Sequence, residues 1–198
     1  MPQPTDPEQP RPTDPAPVVA TTDVAAPADR VWRELTKQQE LQRAMFDSHL
    51  EFDPEPGGEL RYRSPDGAHT FIIGRVARVD EPRAFEHTFA FSNLDDPPSA
   101  VLWDIEPTGP ESCRVTVTHG GFHEETRTLK AVRSAWPDIL ERFRRVCEGR
   151  GLALGDRMKY FVMRLSRPLL PKSLRTENVE RRAPGILDAA PATDSPRH

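Results

Sequence analysis

The sequence predicts an α+β domain: a curved antiparallel sheet of short consecutive strands wrapped around a long C-terminal helix, with two short helices after the first strand. Three observations carry that prediction. From His49 to His119, apolar and polar residues alternate in short runs divided by Pro, Gly and Asp, as strands and tight turns require. Trp136, Ile139, Leu140, Phe143, Val146 and Cys147 recur at the three-and-four spacing of one helix face. A sheet with one apolar side has to bury it, and a long helix following the last strand is the element available to cover it.

The elements follow in order. VVATTDV alternates as a half-buried strand does. In PADRVWREL, Pro27 suits a first helical position and Val31, Trp32 and Leu35 form an apolar stripe, so a short helix follows. A second short helix is expected from Lys37 to Ala44, entered at Thr36. LEFD, LRYRS and HTFIIGRVARVD are then split by PEPGGE and PDGA, whose glycines supply the φ values of tight turns. EPR, DDPPS and PTGPES separate AFEHTFAFS, AVLWDIE and CRVTVTHG. Phe85, His87, Phe89 and Phe91 share one side of their strand; Val101, Trp103 and Ile105 share one side of theirs, as do Val115, Val117 and His119.

For the long helix, Ser134 is a good N-cap and places Pro137 in the first turn, where a missing N–H costs nothing. Gly149 and Gly151 supply the stop. Asp138, Glu141, Arg142, Arg144, Arg145 and Glu148 take the polar face. The ordered domain is therefore expected over 18–151.

The chain has 22 prolines, too many for one packed domain of this length, and they gather towards the ends. Segments 1–17 and 176–198 lack apolar periodicity and are expected to be disordered. Residues 152–175 form a basic amphipathic accessory segment: Met158, Phe161, Val162 and Leu165 make a stripe, ringed by Arg157, Lys159, Arg164 and Arg167. Such a segment docks on its own domain, on a membrane or on another protein; packing on its own domain is the expectation.

Composition narrows the function. A net charge of -4 argues against a general nucleic-acid binder. The opening residues lack the pattern of a secretory signal and no apolar run reaches membrane-spanning length, so a cytoplasmic protein is expected. Cys113 and Cys147 lie in apolar patterns outside any CxxC pair and are expected to be buried thiols.

His119 and His123 are spaced H-G-G-F-H, without the helix or cysteines that would complete a metal set, and HEETR is not HExxH; no metal and no cofactor are expected. The pattern assembles no catalytic set: Glu86 and Asp104 lie across their strands from His87 and Trp103, and no GxSxG, GxxxxGK[ST] or GxGxxG occurs.

APADRVWREL, PGGELRYRSPDG, GRVARVDEPRAFEHTF, CRVTVTHGGF and AWPDILERF, taken in this order, resemble the family named for the Hsp-90 ATPase activator homologue, within the START/Bet v 1-like (SRPBCC) superfamily. The resemblance implies a helix-grip fold with a cleft between sheet and long helix. Met45-Phe46 stands where family members often carry a tryptophan, at the mouth of that cleft. The lining implied here is Trp32, Met45, Phe71, Ile73, His87, Phe89, Phe91, Trp103, His119, Trp136, Leu140 and Phe143. Three readings stay open: a non-enzymatic binder of a small apolar or lipid-like ligand, which is preferred; a cyclase or hydrolase-like enzyme using His87 or His119; and a co-chaperone-like interaction module. The sequence leaves oligomeric state undetermined.

Overall fold

The computed structural model describes residues 14–189. One antiparallel sheet holds eight strands: β1 (Val18–Val24), β2 (Leu41–Gln42), β3 (Ser48–Phe52), β4 (Glu59–Arg63), β5 (Thr70–Asp80), β6 (Ala84–Phe91), β7 (Ser99–Gly109) and β8 (Ser112–Gly120). Their order across the sheet is β1-β8-β7-β6-β5-β4-β3-β2, a meander whose first strand joins its last. The helices are α1 (Ala28–Thr36), α2 (Arg127–Cys147), α3 (Leu154–Ser166) and α4 (Thr176–Asp188). The predicted α+β architecture holds: the sheet curls around α2, and α1 closes one end.

The inner face carries the main core. Val24, Leu50, Leu60, Tyr62, Val76, Phe85, Trp103, Ile105, Val115 and Val117 meet Val31 and Trp32 of α1 and Leu129, Trp136, Leu140 and Phe143 of α2. Registers explain the shared face: Val18 pairs with His119 and Ala20 with Val117, while Phe85 pairs with Trp103 and His87 with Val101. Side chains of directly paired residues stand on the same side of a sheet. Cys113 and Cys147 both lie buried in this core, unbonded to each other.

Three elements differ from expectation. Helix α2 begins at Arg127, not at Ser134. Its N-cap is Thr126, whose hydroxyl accepts from the Leu129 N–H at 3.0 Å, and Asp96 accepts from both the N–H and hydroxyl of Thr128 at 2.6 and 2.8 Å. Leu129 and Val132 extend the apolar face two turns upstream, so Pro137 falls mid-helix and leaves the Arg133 carbonyl without its intrahelical donor. Ser134 instead donates to the Ala131 carbonyl.

The second helix expected over Lys37–Ala44 is a two-residue strand followed by a 3₁₀ turn, Arg43–Met45. Gln39 takes a left-handed backbone (φ 64°), which breaks a helix there, and the Gln42 amide donates to the Leu35 and Lys37 carbonyls to close off α1.

The segment expected to be disordered from residue 176 forms α4, while the tail expected over 1–17 lies mostly outside the described residues. Helix α4 packs on the outer face of the sheet, where Val179, Ala183 and Leu187 bury against Ile73 and Ala90. Glu180 takes both Nε and Nη2 of Arg61, at 2.8 and 2.9 Å, plus Nη2 of Arg63 at 2.9 Å. The Arg61 hydrogen bonds hold the Glu180 carboxyl below the usual carboxylate range. Strand β6 is buried on both faces over most of its length.

Candidate functional site

The sheet brings most of the predicted lining residues together. Trp32, His87, Phe89, Trp103, His119, Trp136, Leu140 and Phe143 are all buried between the sheet's inner face, α1 and α2. Met45, Phe71 and Phe91 lie half-buried at the margin of that cluster, beside Phe46 and Phe52. Ile73 does not belong to it; its side chain is on the opposite face, against α4. The reason is a bulge: Tyr62 pairs with Ile72 and Arg63 with Thr70, which leaves Phe71 unpaired and resets the alternation along β5.

The rings fill the space expected to be a cleft. Trp103 meets Trp136 edge-on at 5.5 Å and Phe143 at 5.4 Å; Phe89 meets Phe91 at 4.9 Å; Phe85 lies 5.1 Å from Phe52 and 6.5 Å from Trp32. These are the offset and edge-to-face spacings that aromatic pairs prefer. All of these rings except Phe52 and Phe91 are buried. Two surface clefts of about 400 Å³ lie elsewhere, one beside Val18–Ala20 and Pro137, the other over Arg61, Arg63 and Glu180.

His119 is the best-defined polar group of the face. Trp136 Nε1–H donates to its Nδ1 at 3.1 Å, so the neutral ring carries its proton on Nε2 and donates to Ser99 Oγ at 2.8 Å. Ser99 in turn donates to the Phe89 carbonyl at 3.2 Å. The ring is stacked on Phe122 at 5.1 Å and edge-on to Phe89 at 4.9 Å. Burial, with a smaller contribution from nearby His87, pushes its pKa down to about 3.

His87 Nδ1–H donates to the Thr88 carbonyl at 2.8 Å, which makes Nε2 the acceptor of its neutral ring. Its pKa is pushed down to about 4, again chiefly by burial. Both histidines are therefore neutral hydrogen-bonding groups at physiological pH. His123, by contrast, is exposed and faces Asp14 at 3.2 Å. Among the described residues no group of three His, Cys, Asp or Glu side chains could hold a metal ion.

Sequence reasoning missed Tyr62, Ser99, Phe122 and Arg142. Tyr62 alternates with Leu60 in LRYRS and was detectable from that period; burial raises its phenol pKa. Ser99 and Phe122 sit in stretches that read as turns; the β7–β8 pairing carries Ser99 to His119, whereas Phe122 folds back onto that ring from three residues along the chain. Arg142, assigned to the polar face of α2, is instead buried. Its Nε donates to the Ala44 carbonyl at 3.3 Å, its Nη1 meets Asp156 of α3 at 3.4 Å, and its guanidinium lies 5.1 Å above the Phe46 ring.

An inner sheet face gripping one long helix, with an aromatic interior, defines a helix-grip protein of the SRPBCC type. The model for "Activator of Hsp90 ATPase homolog 1-like protein" matches residues 25–148, and the chain belongs to that family. Among solved structures, an HSP90 activator from Plasmodium falciparum aligns at 18% identity over 68% of this chain and 97% of that one, with a TM-score of 0.56. The Aha1 dimer from Colwellia psychrerythraea gives 14% identity, 68% and 98% coverage and a TM-score of 0.56. CalU16 from Micromonospora echinospora gives 17%, 75% and 83%, and 0.52. At these identities the likeness is one of fold. No curated protein sequence matches the chain. Helices α3 and α4 lie beyond the residues that the family model matches.

Proposed function

We propose that the inner face between sheet and α2 binds a small apolar molecule, which enters at the Met45–Phe46 margin and displaces packed side chains as it does so. The observation that carries this reading is the placement of two neutral, buried histidines within an aromatic cluster whose margin, at Met45, Phe71 and Phe91, is only half-buried. A binding site for such a ligand needs large apolar area and a few fixed polar groups. His87 Nε2 offers an acceptor, and the His119–Ser99 pair offers a polar patch beside it. Pro137 supports the opening step, since α2 lacks a backbone hydrogen bond one residue beyond Trp136. The SRPBCC fold, which hosts ligand-binding and cyclase-type modules, is consistent with it.

The chemistry favours binding over acid-base catalysis. A general base at His119 would have to give up the Trp136 hydrogen bond to free Nδ1, and its low pKa makes it a weak proton acceptor. A ligand that buries about 300 Å² of apolar surface gains about 7.5 kcal/mol, which corresponds to near-micromolar affinity before the cost of opening.

Titration with an environment-sensitive apolar dye, alongside native mass spectrometry of freshly purified protein, tests the reading. Saturable dye binding that is weakened at least about tenfold by Phe91→Arg, with the fold intact, is expected because a charge at the margin is costly to desolvate. Absence of both dye binding and a retained small molecule would overturn the proposal and leave the protein-activator role that the family description names.

A further inference from the structure

Helix α3 is oriented with its apolar side outward. At 100° per residue, Leu154, Met158, Phe161, Val162 and Leu165 fall within an arc of about 100°, while Asp156 and Tyr160 lie about 180° from its centre. The residues that anchor the helix are on that second side: the Tyr160 hydroxyl donates to the Arg43 carbonyl at 3.0 Å, and Asp156 meets buried Arg142. The expected packing of the stripe on its own domain is therefore not found. Phe161 is 58% exposed, Val162 57%, Met158 60% and Leu165 65%, and Leu169 continues the exposed line beyond the helix.

We propose that α3 docks flat on an anionic phospholipid surface. Charge identifies this occupant. Residues 154–175 hold six basic side chains and one acid, a local charge of +5 in a chain of net -4, so the remainder carries -9. The one acid, Asp156, is turned inward onto Arg142, which leaves the outward apolar arc flanked by cations alone. A second copy of the chain would set one basic ring against another. An anionic bilayer instead accepts the apolar arc among its acyl chains and pairs Arg157, Lys159 and Arg164 with its phosphates. It would also repel the acidic remainder, which orients the molecule with α3 towards the lipid. Anchoring through Tyr160 and Asp156 lets the helix dock without unpacking.

The test is flotation of the full chain with vesicles of phosphatidylcholine alone or containing about one-third phosphatidylserine. Retention on the anionic vesicles only, released by about 0.5 M salt, is the expected result. Phe161→Asp with Leu165→Asp should abolish it while leaving the melting temperature unchanged, since both side chains are already in solvent. Arg157→Gln, Lys159→Gln and Arg164→Gln should each weaken it about fivefold. Failure to bind anionic vesicles at low salt, equal binding to neutral ones, or binding unmoved by these variants would overturn the proposal. So would capture by an acidic polypeptide in place of lipid, which would assign the face to a protein partner.

Discussion

Lowering the pH should destabilise this protein through His87 and His119, in an amount that follows from their burial. Both have an ordinary pKa of 6.5, held in the fold at about 4 and about 3. Between those limits the unfolded chain takes up protons that the folded one refuses. Stability is thus unaffected well above pH 6.5, falls as the pH drops through 6.5, and stops falling on this account only below the folded values. At pH 5 each histidine costs about 2 kcal/mol relative to pH 7.5, about 4 kcal/mol for the pair, which is a large share of an ordinary domain's stability. Urea unfolding at pH 7.5 and pH 5, followed by tryptophan fluorescence, measures the difference. His87→Gln should remove about half of the pH-dependent loss, and His119→Gln the other half, although each will lower stability at pH 7.5 by breaking its hydrogen bonds. A wild-type loss of under about 1 kcal/mol, or the same pH dependence in both variants, would refute the placement of two neutral imidazoles in the core.

Two further outcomes test the packing. Deletion of 176–198 removes Val179, Ala183 and Leu187 from the outer face and uncovers Ile73 and Ala90. Thermal unfolding should report a loss of about 2–4 kcal/mol, or about 5–15 °C in melting temperature, and an unchanged value would show that α4 contributes nothing. Gly74→Ala sets a Cβ 1.9 Å from the Thr88 carbonyl oxygen across the β5–β6 pair, a contact that only backbone movement can relieve. A loss of at least about 2 kcal/mol by urea denaturation is expected, and a neutral result would mean that the strands do not approach this closely.

Where the physics is periodic and local, the sequence disclosed the fold. The strands of the meander, α1 and the shared inner face of Phe85, His87, Phe89, Trp103 and His119 all follow from alternation and turn chemistry. What stayed hidden depended on partners distant in sequence. Pro137 read as a helix start because its missing hydrogen bond is tolerated mid-helix only when both flanking halves pack on the sheet. Arg142 read as solvent-facing because nothing local announces that Asp156, the Ala44 carbonyl and Phe46 will surround it. Helix α4 escaped notice because Pro184 and Gly185 mask a Val-Ala-Leu stripe spaced by four, and that stripe acquires meaning only beside Ile73 and Ala90. The candidate site was legible as a set of residues, with Ile73 the exception. Its packed state and the His119 tautomer were not, because they rest on ring placements and on the Ser99 and Trp136 partners that strand pairing and α2 supply.

The pairing of β1 with β8 sets a schedule for the chain's birth. Val18 waits for His119 and Val24 for Cys113, a separation of about 90–100 residues. At a synthesis rate of about 5–20 residues per second, the first strand spends roughly 5–20 seconds outside the ribosome before β8, its partner in the sheet, exists. Over that interval β1 has no partner strand and the inner face has no edge to close on. The strand that waits is VVATTDV, short and rich in threonine, with an acid near its end. Such a segment stays solvated and resists pairing with other nascent chains, which a longer, wholly apolar strand in the same position would invite.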